Sequence, residues 1–279
     1  MKPATAWTTG HLHAEAVCNA LATGGGFALR HVRSLPPAPV LGPGVDPRVR
    51  DRRIDGPAFF YGRLRGSLEV MRAAIAAGEN WYMADNGYMG AGHYRGFYKI
   101  SRNAFQCRGN EYPDYQRLEA LKITIAPTRT SGGHILVCPP IPEYDAVMGF
   151  NSIEWLADVK FGLGRASQRE IRVRWKPGDP RGSGGKRRKK TLAEDLADCW
   201  ALVTHDSNVV VESVIAGVPV FATGQTPVLA IGDKDIGAIE TPRRPGVDER
   251  RRWLATLAAN QWTLDEMREG RCQRDLGVR

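Results

Sequence analysis

The sequence predicts an α/β protein made of two Rossmann-like, doubly wound parallel-sheet domains. Apolar runs of about four to eight residues alternate with amphipathic stretches of helical length, which is the pattern of strand–helix–strand units packed into a parallel sheet. The chain, at 279 residues, is long enough to divide between two cores. Gly, Pro, Ser and Asn cluster where one run gives way to the next, as turns require.

The elements follow in order. Residues 23–31, TGGGFALRH, form a Gly-rich turn after an apparent helix; they lack the GxGxxG spacing of a dinucleotide fingerprint. Residues 34–57 are rich in Pro and Gly and read as an extended loop. FFYG at 59–62 is a short strand. RLRGSLEVMRAAIAAG is a helix closed by Gly78, and ENWYMADNGYMG is a strand running into a Gly-containing loop. Residues 103–131 read as irregular, which places the domain junction between Pro127 and Gly133 and the domains at 1–130 and 131–279. Beyond the junction, HILVCPP (134–140) is a buried strand and NSIEWLADVKFGLG (151–164) an amphipathic helix. EIRVRWKPG (170–178) is a strand ending in a basic loop, and RGSGGKRRKK has no periodicity. TLAEDLAD is a helix with Thr191 as N-cap and Glu194 at the capping-box position. WALVTHDS is a strand, NVVVESVIAG a helix closed by Gly217, VPVFA a strand, and short helices finish the chain.

Composition narrows the function classes. A hydrophobic content of 42% with 25% charged residues suits a folded globular chain and excludes a disordered one. No apolar run approaches the roughly 20 residues of a membrane-spanning helix. The N-terminal residues show no apolar signal core, and the five cysteines are odd in number and scattered with no CxxC pair. The expected location is therefore cytoplasmic, and the expectation is no metal. His11 and His13 lack a third ligand and read as surface residues. Lys and Arg exceed Asp and Glu by 39 to 30, a net +9. The excess clusters at 48–53, 186–190 and 243–252, a field that attracts polyanions but that many solvated surfaces also carry.

The chemistry-bearing motif is VTHDSNVVVESVIAGVPVFA, residues 203–222. A strand delivers the polar turn His205-Asp206-Ser207-Asn208 to the start of a helix, whose unpaired N–H groups suit phosphate. Glu212 follows one to two turns into that helix, where a carboxylate can accept hydrogen bonds from ribose hydroxyls. The other reading is a generic strand–turn–helix with Glu212 on a solvent face.

This stretch resembles the donor-domain signature of B-type glycosyltransferases and nucleotide-sugar epimerases. Within that group it is most similar to the capsule and lipopolysaccharide sugar-transferase branch, over roughly residues 131–232. The resemblance implies two Rossmann-like domains facing a cleft. It implies a nucleotide-sugar co-substrate, UDP-linked, and no cofactor. It makes Glu212 the ribose ligand and Ser207, Asn208 and His205 the phosphate turn, with Arg174, Lys176 and Gly133 near the diphosphate. Such transferases stabilise the leaving diphosphate with helix dipoles and basic side chains, which agrees with the absence of a DxD motif.

Residues 61–103 (YGRLRGSL to ISRN) are similar to the N-terminal region of sugar-transferase-like proteins of tailed phages, a group linked to DNA-base hypermodification. That likeness implies a host-cytoplasmic enzyme glycosylating a hydroxymethylated pyrimidine in double-stranded DNA. Asp85, placed in a loop after its strand, is the expected general base, with His93 second. An Asx turn with Gly87 is the competing role for Asp85. Aromatic and basic residues interleave around it, and Tyr88, Arg95, Lys99 and Arg102, with Lys186, Arg187, Arg188, Lys189 and Lys190, are the expected nucleic-acid contacts. Two alternatives stand beside this reading: a transferase or epimerase of cell-surface saccharide synthesis, and a non-catalytic nucleic-acid-binding protein on a transferase fold. Oligomeric state stays open.

Overall fold

The computed structural model describes residues 2–35, 54–90, 96–106, 112–182 and 190–278. Most of the 34–57 loop, the 48–53 basic cluster, and residues 183–189, which include all of the 186–190 cluster but Lys190, lie outside the described residues. By internal contacts the chain forms two compact units, 1–107 with 260–279, and 108–259.

In the first unit, β1 (Thr5–Thr8) leads into α1 (Leu12–Gly25), β2 (Ala28–His31), β3 (Ala58–Tyr61), α2 (Ser67–Ala76), β4 (Trp81–Asn86) and β5 (Tyr98–Arg102). Helix α1 buries Ala14, Val17, Cys18 and Leu21 along one stripe, the spacing of an amphipathic helix. Its glycines have two separate uses. Gly26 takes the left-handed conformation, φ 63°, that ends the helix. Gly24 lies where a Cβ would come within 1.9 Å of the Met267 carbonyl, so only glycine fits.

The second unit contains α3 (Tyr115–Ala120), β6 (His134–Cys138), α4 (Pro142–Met148), α5 (Ser152–Ala166), β7 (Glu170–Val173), α6 (Leu192–Leu196), β8 (Cys199–Thr204), α7 (Val209–Ile215), β9 (Val220–Ala222) and α8 (Val247–Ala259). Asn151 caps α5 through its side chain, and Thr191 with Glu194 forms the expected capping box on α6. Gly217, φ 74°, ends the turn after α7; a Cβ there would meet the Pro127 carbonyl at 2.0 Å. The chain then closes with β10 (Gln261–Trp262), α9 (Leu264–Arg268) and α10 (Arg271–Asp275).

Among the described residues each unit has one main sheet. The second is β7-β6-β8-β9, parallel throughout. The first is β10-β5-β4-β3-β1-β2, parallel from β2 to β4 and then antiparallel at β5 and β10. The mixed α/β, Rossmann-like class is therefore present, with one sheet extended beyond the parallel core.

The boundary expected at 130/131 differs from the observed division at both ends. Residues 112–130 contribute α3 and the Pro127 strap to the second unit. Residues 260–278 return to the first: Trp262 pairs with Tyr98, and Trp262, Met267, Cys272 and Val278 complete the core around Phe59 and Tyr82. Hydrophobic burial outweighs sequence proximity here, each fully buried large side chain being worth about 1.5–3 kcal/mol.

Candidate functional site

In the second sheet, β7 lies on one side of β6 while β9 lies beyond β8 on the other. The winding reverses between β6 and β8, so the loops leaving their carboxyl ends diverge and leave a crevice, the usual place for a ligand in this architecture. The Thr204 hydroxyl donates to the Cys138 carbonyl at 2.7 Å and fixes the two strand ends together.

The loop after β8 carries His205, whose ring stacks on Phe150 with centroids 4.3 Å apart. Tyr144 and Trp155 meet the same ring edge-on at 5.8 and 6.2 Å. Thr223 completes the cluster. Its hydroxyl oxygen accepts from Trp155 Nε1 at 2.9 Å and lies 3.0 Å from His205 Nδ1. His205 is thus set in an aromatic frame formed by α4, α5 and the loop after β9. The sequence reading named His205 but not Tyr144, Phe150, Trp155 or Thr223. Their only signal was aromatic density in YDAVMGFNSIEW, which any buried segment also shows.

Ser207 accepts from the Val209 N–H at 3.3 Å, and Asn208 occupies the cap position of α7 without a side-chain capping bond. Glu212 stands inside α7. Its surface remains open to solvent, yet surrounding protein crowds the carboxyl enough for desolvation to raise its pKa above the ordinary 4.5. Among the described residues its carboxylate has no hydrogen-bonding or ionic side-chain partner.

A second feature of this edge was not foreseen. Arg181 donates to the Pro140 carbonyl at 2.6 Å, to Asp179 Oδ2 at 2.8 Å, to Asp145 Oδ2 at 3.1 Å and to the Ser152 hydroxyl. Its guanidinium also covers the Trp175 ring. This clamp ties the loop after β6, the start of α5 and the loop after β7 into one body. Arg181 in turn holds Asp179 below the usual carboxylate range, its side-chain hydrogen bond being the main cause. In the sequence this segment shows only Gly-rich basic composition without periodicity, which says nothing about one well-anchored arginine.

Several expected site residues have other placements. Arg174 pairs with buried Asp195 and donates to the Lys190 and Thr191 carbonyls, so its charge is already committed. Gly133 precedes β6, at the amino end of the sheet and so opposite the carboxyl edge; its N–H donates to the Asp198 carbonyl. Lys176 is exposed in the turn after β7.

In the first unit, Asp85 lies within β4 rather than in a loop after it. One oxygen accepts from the Asn86 N–H at 2.8 Å, while the Gly87 N–H goes to the Phe97 carbonyl, so no Asx turn with Gly87 forms. Lys99 is 0% exposed, donates to Gln106 and sits 4.9 Å from the Tyr88 ring. Tyr88 is itself buried and donates its N–H to Gln261. Neither can meet a phosphate backbone, because their aromatic and cationic groups are used inside the fold. Arg102 and Lys190 are exposed. His93, Arg95, Lys186, Arg187, Arg188 and Lys189 lie outside the described residues.

Among the described residues no group of three or more His, Cys, Asp or Glu side chains is placed to hold a metal ion, and no helix is long and apolar enough to cross a membrane. No protein-family model matches the chain, and no curated protein matches it in sequence. Its fold is similar to a solved structure, Thermosulfurimonas dismutans KpsC, a beta Kdo 2,4 transferase. The TM-score is 0.53 at 14% identity, over 91% of this chain and 89% of that one. What the two share at that identity is a mixed α/β, Rossmann-like fold.

Proposed function

We propose that this protein is a glycosyltransferase that binds a nucleotide-sugar donor at the carboxyl edge of the β7-β6-β8-β9 sheet. Glu212 carries the reading. Among the described residues its carboxylate has no side-chain partner, and it stands in α7, the helix that follows β8, on a fold similar to that of a sugar transferase over nearly its whole length. In this assignment Glu212 accepts hydrogen bonds from ribose hydroxyls. Ser207 and Asn208 meet the diphosphate, and the His205 frame shapes the loop beside it. Asp85 is the proposed base: one carboxylate oxygen accepts from the Asn86 N–H, and the other is assigned the acceptor's proton. In a direct displacement the acceptor hydroxyl gives its proton to Asp85 as its oxygen bonds to the anomeric carbon. The bond from that carbon to the phosphate oxygen breaks, and its electron pair leaves with the nucleotide. No metal ion is assigned a part; backbone N–H groups and basic side chains take up the charge of the leaving group. UDP-linked sugars are the first donors to test.

For the acceptor, a saccharide hydroxyl is the better supported class. KpsC is a Kdo transferase, and burial of Lys99 and Tyr88 removes two of the expected DNA contacts. Hydroxymethylated pyrimidine in duplex DNA is the second reading, favoured by the net +9 charge. A transfer assay separates them: a panel of UDP- and CMP-sugars is offered with oligosaccharides in one arm and hydroxymethylated duplex in the other. Sugar incorporation into oligosaccharide supports the first reading. Incorporation into DNA, with binding that weakens at a log–log salt slope of about −0.9 per phosphate neutralised, supports the second. Absence of both transfer and donor hydrolysis contradicts the enzymatic assignment.

A further inference from the structure

Away from the carboxyl edge, the second unit contains a cavity of about 10 Å³ beside the C-terminal end of α7. It is lined by Thr128, Val214, Pro219 and Val228 and by two guanidinium groups, Arg244 and Arg250. Arg250 is 2% exposed. It donates Nη1 to the Val214 carbonyl at 3.0 Å and Nη2 to the Thr128 hydroxyl at 3.2 Å, while its Nε has no partner among the described residues. Among the described residues Arg244 donates to the carbonyls of Arg129 and Pro242 and stacks on Trp200. Among the described residues neither arginine has a carboxylate partner.

Burying a charge is expensive unless an opposite charge or full hydrogen bonding offsets it. Other charged groups relieve that cost by changing protonation, but a guanidinium stays protonated. Carbonyl and hydroxyl dipoles satisfy part of Arg250; they supply no negative charge. The structure therefore combines a buried cation, an unmade N–H bond and a small chamber shared with a second cation.

We propose that this cavity is a binding site for a small monoatomic anion of the chloride class, held by Arg250 Nε and Arg244. The chamber offers room on the scale of a single small particle, which suits one compact ion better than an extended ligand. The apolar remainder of the wall suits a weakly hydrated halide. Because Arg250 also holds the Val214 carbonyl, two residues beyond Glu212, the anion would brace the end of the helix that carries Glu212.

The test is thermal unfolding of the full chain in sodium chloride or sodium gluconate at one ionic strength. Crystals grown in sodium bromide provide the second measurement. Chloride should raise Tm in a saturable manner that gluconate does not reproduce, because only a ligand of the folded state stabilises by mass action. Arg250→Met should abolish the chloride-specific increment. If that variant fails to fold, the wild-type comparison and an anomalous bromide peak beside Arg250 Nε decide the matter. Identical Tm curves in chloride and gluconate, or a water and no bromide at that position, would overturn the proposal. Equal stabilisation by sulfate at the same ionic strength would overturn the assignment to a halide.

Discussion

The two sheets share a winding pattern and differ in what they leave available at it. Both run in the order second, first, third, fourth strand, so both reverse direction between their first and third strands. At the first reversal the side chains bond to one another. His13 stacks with Tyr61 at 5.9 Å and lies 3.4 Å from the Tyr98 hydroxyl, and Tyr61 donates to Asn86 at 3.0 Å. At the second, the rings around His205 are equally interlocked, yet among the described residues the Glu212 carboxylate has no side-chain partner. Shared topology therefore locates two crevices, and the leftover hydrogen-bonding capacity distinguishes them. In the proposed assignment the second edge holds the donor; at the first, His13, Tyr61, Tyr98 and Asn86 contact one another, and one Asp85 oxygen accepts from the Asn86 N–H.

The sharpest way to break this contrast is Asp85→Asn. The amide keeps the shape but accepts no proton, so turnover should fall by about 100-fold or more while donor binding persists. Near-normal single-turnover rates would remove Asp85 from the chemistry and direct attention to His93.

A second variant tests how α7 is braced at its far end, away from the donor edge. Gly217→Ala places a Cβ 2.0 Å from the Pro127 carbonyl at a φ of 74°. Loss of about 1–3 kcal/mol is expected, seen as a lowered denaturant midpoint with an unchanged slope. Wild-type stability would show that the strap 126–129 yields easily and does not brace α7.

The smallest effect is the most specific to Glu212. Desolvation raises its pKa in the folded state, so the protein holds this proton more tightly than the unfolded chain does. The resulting stabilisation is complete below the ordinary value of 4.5 and is lost as pH rises through the folded value. At neutral pH the ionised carboxylate therefore works against folding. Glu212→Gln should raise Tm slightly at pH 7 and lose that advantage below the ordinary carboxylate range. A variant less stable than wild type at pH 7 would show that the carboxylate is stabilised by a partner after all.

Much of this was legible from sequence, for physical reasons that can be named. The strand–turn–helix around His205 to Glu212, the capping box at Thr191 and Glu194, and the strand from His134 each depend on local periodicity or a local hydrogen bond. The antiparallel strand β5 was not legible: Lys99 and Arg102 in YKISR look like surface residues until Gln106 and Tyr88 enclose the lysine. The return of Trp262 to the first core was invisible because its partners are far away in sequence. Arg174 and Arg181 show the same limit at the site. Both are arginines in basic stretches after β7, and tertiary contacts alone reveal that one pairs with Asp195 and the other clamps Pro140, Asp145 and Asp179.

The measurement that bears most directly on the donor site is calorimetric titration of a nucleotide-sugar panel against wild type and Glu212→Ala in parallel. One class of donor should bind the wild type, and the folded variant should bind it about 1.5–3 kcal/mol more weakly, the magnitude of lost hydrogen bonds to a charged group. Equal affinity in a folded variant, or no nucleotide sugar bound by the wild type, would contradict the assignment of that edge.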